Sequence, residues 1–214
     1  MKRAWRNLIR RLRRDGWRAT ARALWTALRP ARFAVYCLDR PAAPVLPEPF
    51  ALRRGLRALL ALREANGLLP DQFYYEGREG HRDCFLLCQD GEPVGVLWVI
   101  SGRNASRYFV LGEQAVEIGG LYVRPQFRGR GAGKQLFWRS SQALLESGIR
   151  EIYAAIESDN DASRRAAEAV GFRKVGQIRR ACLWGPRYRT ADGRLESWGH
   201  ALIAPLARRR ESGS

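Results

Sequence analysis

Arg128-Gly129-Arg130-Gly131-Ala132-Gly133-Lys134 is the segment that most constrains this chain. It lies between an apolar, extended run from Val116 to Val123 and an amphipathic run that begins near Gln135. A glycine-rich turn from strand to helix collects unpaired backbone N–H groups at the positive end of a helix dipole, which makes a cradle for a pyrophosphate. Two familiar nucleotide loops fail on spacing. A P-loop requires Ser or Thr directly after its lysine to hold magnesium, and Gln135 follows Lys134 here. A dinucleotide fingerprint reads Gly-x-Gly-x-x-Gly with an acidic ribose partner about 20 residues on. Glu151 and Glu157 lie near that offset, but the glycine spacing is Arg-x-x-Gly-x-Gly.

The approach to the loop narrows the choice. Leu121-Tyr122-Val123-Arg124-Pro125 ends the strand, and Gln126-Phe127 lead into Arg128. After the helix, from Lys134 to about Ser147, Gly148 stops it and Ile152-Tyr153-Ala154-Ala155-Ile156 reads as a strand. Asn160-Asp161-Ala162-Ser163 then opens a second helix that ends at Val170-Gly171-Phe172. In this order the three pieces resemble the GNAT superfamily of acetyl-CoA-dependent N-acetyltransferases, over roughly residues 84 to 203. The resemblance implies a single α/β domain with a mixed, mostly antiparallel, splayed sheet flanked by helices.

It also implies a cofactor site for acetyl-CoA. The backbone of Leu121, Tyr122 and Val123 would face the pantetheine amides. The N–H groups of Arg128, Gly129, Arg130, Gly131, Ala132, Gly133 and Lys134 would hold the pyrophosphate, with side-chain charge from Arg130 and Lys134. Asn160 matches the family residue that meets the pantetheine arm; as an ordinary helix cap it would compete with Asp159 and Asp161 for the same turn.

Transfer to an amine needs a base to take a proton from the ammonium before it attacks the thioester. Glu117 lies eleven positions before Arg128, the offset at which histone-type members of the superfamily place a catalytic glutamate. Glu113, Glu157 or a water chain are the alternatives. The general acid that many members carry, a tyrosine four residues before the closing Gly-Phe, is Ala167 here. Tyr122, Tyr153, Tyr188 or solvent would have to protonate the leaving thiolate. His81 and His200 have no partner spacing that suggests catalysis. The amine itself, a small molecule, an amino sugar or a protein amine, is open at this point. A longer acyl donor at a membrane surface, or a degenerate domain that only binds membrane or nucleic acid, are the competing functions.

The 214 residues, 46% of them apolar, suffice for one domain with an extension. Residues 1–32 hold eleven Lys/Arg against the single Asp15, so they carry +10 of the net charge of +17. Trp5, Leu8, Ile9 and Leu12 form one apolar stripe, and Trp17, Ala21, Leu24 and Leu28 form another on a different side after Asp15-Gly16. This predicts two short basic amphipathic helices. Arginine recurs too often for a signal peptide or a transmembrane span. An anionic membrane surface bound through residues 1–28 suits the pattern, with packing on a domain or partner chain, and targeting or nucleic acid, as the other readings. Against nucleic acid, the tryptophans and leucines form stripes and do not interleave with the basic residues.

Prolines 30, 41, 44, 47 and 49 mark the junction, with a strand expected at Phe33–Leu38 between the first two. The expected organisation is an arm over 1–30, the catalytic domain over 31–205 and a basic tail over 206–214. Leu52 to Ala65 reads as helix, and Cys84–Gln89 with Val94–Ile100 as a hairpin around Asp90-Gly91-Glu92-Pro93. Cys37, Cys84, Cys88 and Cys182 lack metal-ligand spacing and read as buried or partly buried thiols in a reducing compartment, a cytoplasmic setting in which the arm would reach the inner face of the membrane.

Overall fold

The computed structural model describes residues 31–38, 40–41, 50–76, 81–102, 106, 111–181, 185–190 and 195–197. The expected arm and tail, Cys182 and His200 lie outside the described residues. The elements run β1 (Ala31–Leu38), β2 (Ala51–Arg54), α1 (Leu56–Asn66), β3 (His81–Gln89), β4 (Glu92–Ser101), β5 (Ala115–Val123), α2 (Ala132–Glu146), β6 (Glu151–Glu157), α3 (Asp161–Ala169), β7 (Arg173–Ala181), β8 (Gly185–Thr190) and β9 (Leu195–Ser197). They form one nine-stranded sheet in the order β2-β3-β4-β5-β6-β1-β7-β8-β9. Every neighbouring pair is antiparallel except β5 and β6.

The β3–β4 hairpin is tighter than its sequence suggests. Asp90 and Gly91 both take positive φ, 50° and 82°, as a two-residue turn matched to strand twist requires. Glu92 and Pro93 therefore already belong to β4. Pro93 is tolerated because the register shifts at Leu87/Cys88, opposite it.

The expected helix at 52–65 is corrected at its start. Ala51–Arg54 is an edge strand on β3, and only after Gly55, at φ 97°, does α1 begin. The Gly55 N–H donates to the Cys84 carbonyl at 2.8 Å, so the chain is still held to the sheet at the residue where the expected helix would already be under way. Gly67 ends the helix as anticipated, at φ 69° with its N–H on the Arg63 carbonyl.

Alternation along the strands sends apolar side chains to both faces. On one face Phe85, Leu87, Leu97, Val99, Val116 and Ile118 meet Leu136, Phe137 and Leu144 of α2, Ala166 and Ala167 of α3, and Val170 just after it. On the other, Leu86, Cys88, Val96 and Trp98 meet Leu59 and Leu62 of α1. Each fully buried leucine of α1 contributes about 1.5–3 kcal/mol of transfer free energy, which outweighs the weak intrinsic stability of an eleven-residue helix.

Strand β1 occupies an interior position, antiparallel to β6 on one side and β7 on the other. Ala34, Tyr36 and Leu38 enter one core and Phe33 and Val35 another, which explains its continuous apolar run. Tyr36 donates its hydroxyl to Glu168 Oε1 at 2.7 Å and so ties β1 to α3. Cys84 and Cys88 are buried and Cys37 half-buried, all as free thiols.

Candidate active site

The site begins with a defect in the β4–β5 ladder. Val96 pairs with Tyr122 and Trp98 with Gly119, so Leu97 alone faces two residues, Gly120 and Leu121. This is a β-bulge, which leaves an extra residue out of the ladder and re-aims the strand. Gly120 sits at φ 59°, and a Cβ there would lie 3.1 Å from Trp98 Cδ1 and 3.4 Å from Tyr75 Cδ2. Gly95 allows the close return of the strands beyond the bulge, since a Cβ on it would lie 2.5 Å from the Tyr122 carbonyl oxygen.

On its other side β5 pairs with β6 through three positions only: Ala115 with Glu151, Val116 with Ile152, and Glu117 with Tyr153. Beyond Glu117 the two strands part. β6 continues against β1 to Glu157, and β5 runs unpaired on that side to Val123. The chain is then pinned by Arg124, whose N–H donates to the Val94 carbonyl at 2.9 Å and whose guanidinium meets Glu92 at 2.6 Å.

A short 3-10 turn, Pro125–Phe127, leads to the glycine loop. Gly129 and Gly131 take φ of 75° and 81°, and Gly131 is the N-cap of α2. It offers no side-chain cap, and the first turn of α2 contains no acidic residue. The opening amides of the helix therefore have no internal acceptor, which leaves a donor set suited to an anion. Across the pocket, α3 begins differently. Asn160 caps it with its own Oδ1, which accepts from Ser163 N–H at 3.1 Å. Of two helix N-termini at one pocket, one is closed by its asparagine and the other is bare.

Between them lies a pocket of about 670 Å³, a size within the usual range for cofactor sites. Leu121, Tyr122 and Val123 line it from β5, Arg128, Gly129, Gly131, Ala132, Gly133 and Lys134 from the loop and α2, and Asn160 from α3. All were expected from sequence. Arg130 was expected too, and it is exposed and lies outside the lining. Phe127, Ala162, Ser163, Arg165 and Ala166 line the pocket without having been anticipated. Of the last four, only Ser163 follows from Asn160 by helical spacing; Arg165 and Ala166 lie three and four positions after Ala162 and share its face, which no residue singled out in the sequence marked. The lining carries three cations, Arg128, Lys134 and Arg165, and no carboxylate. This donor set fits a phosphorylated cofactor.

Glu117 is 3% exposed, which excludes a solvated strand-edge role, and it does not line the pocket. Its place is the fork, at the last pairing before β5 and β6 separate. Glu113 and Glu157 are both exposed. Among the candidate tyrosines, Tyr122 touches the pocket, with its ring edge-on to Phe73 and the Arg128 guanidinium 5.8 Å from its centre. Tyr153 is buried and donates to Glu151 at 2.9 Å; burial, then the neighbouring Cys37 and Glu151, push its hydroxyl well above the usual tyrosine range. That makes it a poor proton donor at neutral pH. The side chain of Tyr188 lies outside the described residues. Ala167 is fully buried in the core beneath α3. His81, 9% exposed, packs edge-on to Tyr75 and Trp98.

A bulged strand that forks from a parallel neighbour, followed by a glycine loop onto a bare helix N-terminus, frames this pocket. The family model of the acetyltransferase (GNAT) family matches residues 54–172, and the chain belongs to that family. It is 30% identical over 106 residues to the uncharacterized N-acetyltransferase YfmK of Bacillus subtilis (strain 168), covering 49% of this chain and 64% of the relative. It is 32% identical over 98 residues to the acetyltransferase ECA0875 of Pectobacterium atrosepticum, covering 45% and 62%. The chain thus spans a little under two thirds of the length of these relatives. A solved acetyltransferase of the GNAT family from Novosphingobium aromaticivorans shares the fold, with a TM-score of 0.50, 19% identity and coverage of 71% of this chain and 63% of that one. No helix among the described residues is long and apolar enough to cross a membrane.

Proposed function

We propose that this chain transfers an acetyl group from acetyl-CoA to a primary amine by direct attack, with Glu117 as the general base. One observation carries the reading: the pocket with the bare helix N-terminus is walled by the segment of β5 that has just parted from β6 at Glu117. When bound there, acetyl-CoA supplies an activated thioester carbonyl.

The residues around it divide the work. The amides at the start of α2 bind phosphate, because they point outward from a positive helix end. The parted edge of β5, Leu121 to Val123, presents backbone groups that have no strand partner on that side, and these orient an amide-bearing chain. The fork between β5 and β6 gives a route through the sheet toward the face that carries Glu117. That residue pairs across β4 with Ile100, whose side chain packs with Ala115 and Tyr153 on the face opposite α2. A carboxylate there accepts the ammonium proton directly or through one water. Of the tyrosines, Tyr122 has the placement to return a proton to the thiolate.

Acceptors consistent with the site are small amines, amino sugars and protein amines. The test is a titration of the full chain with acetyl-CoA and, separately, decanoyl-CoA, followed by thiol release across an amine panel. Micromolar acetyl-CoA binding with amine-dependent thiol release supports the proposal. Failure to bind acetyl-CoA overturns it.

A further inference from the structure

We infer that Arg165, on the second turn of α3, is the side chain that contacts a cofactor phosphate across the pocket from the glycine loop, and that it sets affinity for the phosphorylated end of coenzyme A. This rests on the proposed acetyl-CoA site.

Five cations lie on the loop, the first turn of α2 and the helix facing it, Arg164 among them, and the structure separates them. Arg130 lies outside the pocket. Arg128 lines it but is turned back, its Nε donating to the Val123 carbonyl at 3.0 Å with the guanidinium over the Tyr122 ring. Lys134 belongs to the same wall as the amides, so it reinforces the cradle from one side only. Arg165 alone brings positive charge from the facing wall.

Its neighbour shows why it is available. Asp161, the carboxylate in the first turn of α3, is taken by Arg164 three residues on. Arg164 does not line the pocket, and Arg165 meets Asp161 only as a weaker charge interaction, while Arg164 holds the salt bridge. The backbone amide of Ser163 is also occupied, by Asn160 Oδ1. The capped start of α3 therefore offers less to an anion than the bare start of α2, and the recognition from this wall falls to a guanidinium, whose planar fork suits phosphate oxygens. Arg165 is exposed, so its replacement removes little packing.

The experiment compares wild type, Arg165→Ala, Arg165→Lys and Arg164→Ala by calorimetry on the protein without substrate, using coenzyme A and 3′-dephospho-coenzyme A, at two salt concentrations. Arg165→Ala is expected to weaken coenzyme A binding about tenfold or more and to flatten the salt dependence. Arg165→Lys should restore part of the affinity, and Arg164→Ala should bind as wild type. If the Arg165→Ala loss persists with the dephospho ligand, the contact is to the diphosphate; if it vanishes, to the 3′-phosphate. Either result supports the assignment. Binding by Arg165→Ala within twofold of wild type for both ligands, or a loss no larger than that of Arg164→Ala, overturns it. Absence of binding by the wild-type chain would instead overturn the acetyl-CoA site itself.

Discussion

Glu117 and Tyr153 face each other as the last matched pair between β5 and β6, and the sheet opens immediately beyond them. The buried carboxylate therefore stands at the fork, and the tyrosine paired with it donates its hydroxyl to Glu151. Glu117→Gln keeps the shape of that pair and removes the proposed base. It is expected to lower kcat by about 100-fold with cofactor affinity nearly unchanged, as general-base loss predicts. Steady-state rates from pH 6 to 9 together with calorimetry check it, and a rate near wild type would move the proton transfer to another group.

Gly131 combines φ of 81° with the N-cap of a helix that has no side-chain cap. Gly131→Val forces a β-branched residue into the left-handed region and crowds the amides at the cradle. Coenzyme A binding should be lost while far-UV circular dichroism keeps the native helix content. A folded variant with unchanged affinity would remove the loop from the cofactor site.

Gly95 is constrained by distance and not by its backbone angles. A methyl group there would press on the Tyr122 carbonyl at 2.5 Å and on Leu136 Cδ1 at 3.1 Å. Gly95→Ala should destabilise the fold by about 1–3 kcal/mol, as overpacking does. Because Tyr122 lines the pocket, the KM for acetyl-CoA should rise as well. Urea denaturation and initial rates measure the two effects, and an unaffected variant would mean that β4 and β5 are less tightly apposed.

Tyr36 couples pH to stability. Burial, then its hydrogen bond and charge contact with Glu168, raise its hydroxyl from 10.0 to about 12. A pKa raised on folding favours the native state below the unfolded value, and that advantage is lost as pH climbs from 10 toward 12, because the unfolded chain releases the proton first. Tyr36→Phe should cost about 0.5–1.5 kcal/mol at neutral pH, for the lost hydrogen bond, and should reduce the decline above pH 10. The remaining decline belongs to groups such as Cys84, whose thiol burial pushes from 9.0 up to about 12. Denaturation midpoints across that range would show no difference between the variants if Tyr36 did not contribute.

Strand β1 starts at Ala31 and lies inside the sheet. Removal of residues 1–28 should leave a folded domain with wild-type affinity for coenzyme A, whereas removal of residues 1–40 should abolish folding because β6 and β7 lose their common neighbour. Binding of both chains to phosphatidylglycerol vesicles tests the basic arm in the same experiment. Association of the full chain at low salt, absent after removal of 1–28, is the expected outcome for an interfacial amphipathic helix. If the shorter truncation unfolds, the arm is part of the domain.

Much of this site was legible in the chain as written, because its signals are local. Asp90-Gly91 specifies its own turn, and Gly129 and Gly131 supply positive φ where the loop needs it. The periodicity of the segments between them places Leu121 to Val123 on a strand and Lys134 on the first turn of a helix. Each of these depends on a few consecutive residues, so sequence alone determined them. Strand partners are another matter, since pairing joins residues far apart and is decided by which edges and faces remain when the rest has packed. Only the tertiary structure set β1 between β6 and β7, turned residues 52–54 from the start of a helix into an edge strand, and buried Glu117 at the fork. The exchange of Arg130 for Arg165 in the pocket has the same origin: a side chain's position along a loop says little about which wall it faces, and two helices packed on one sheet face settle that together.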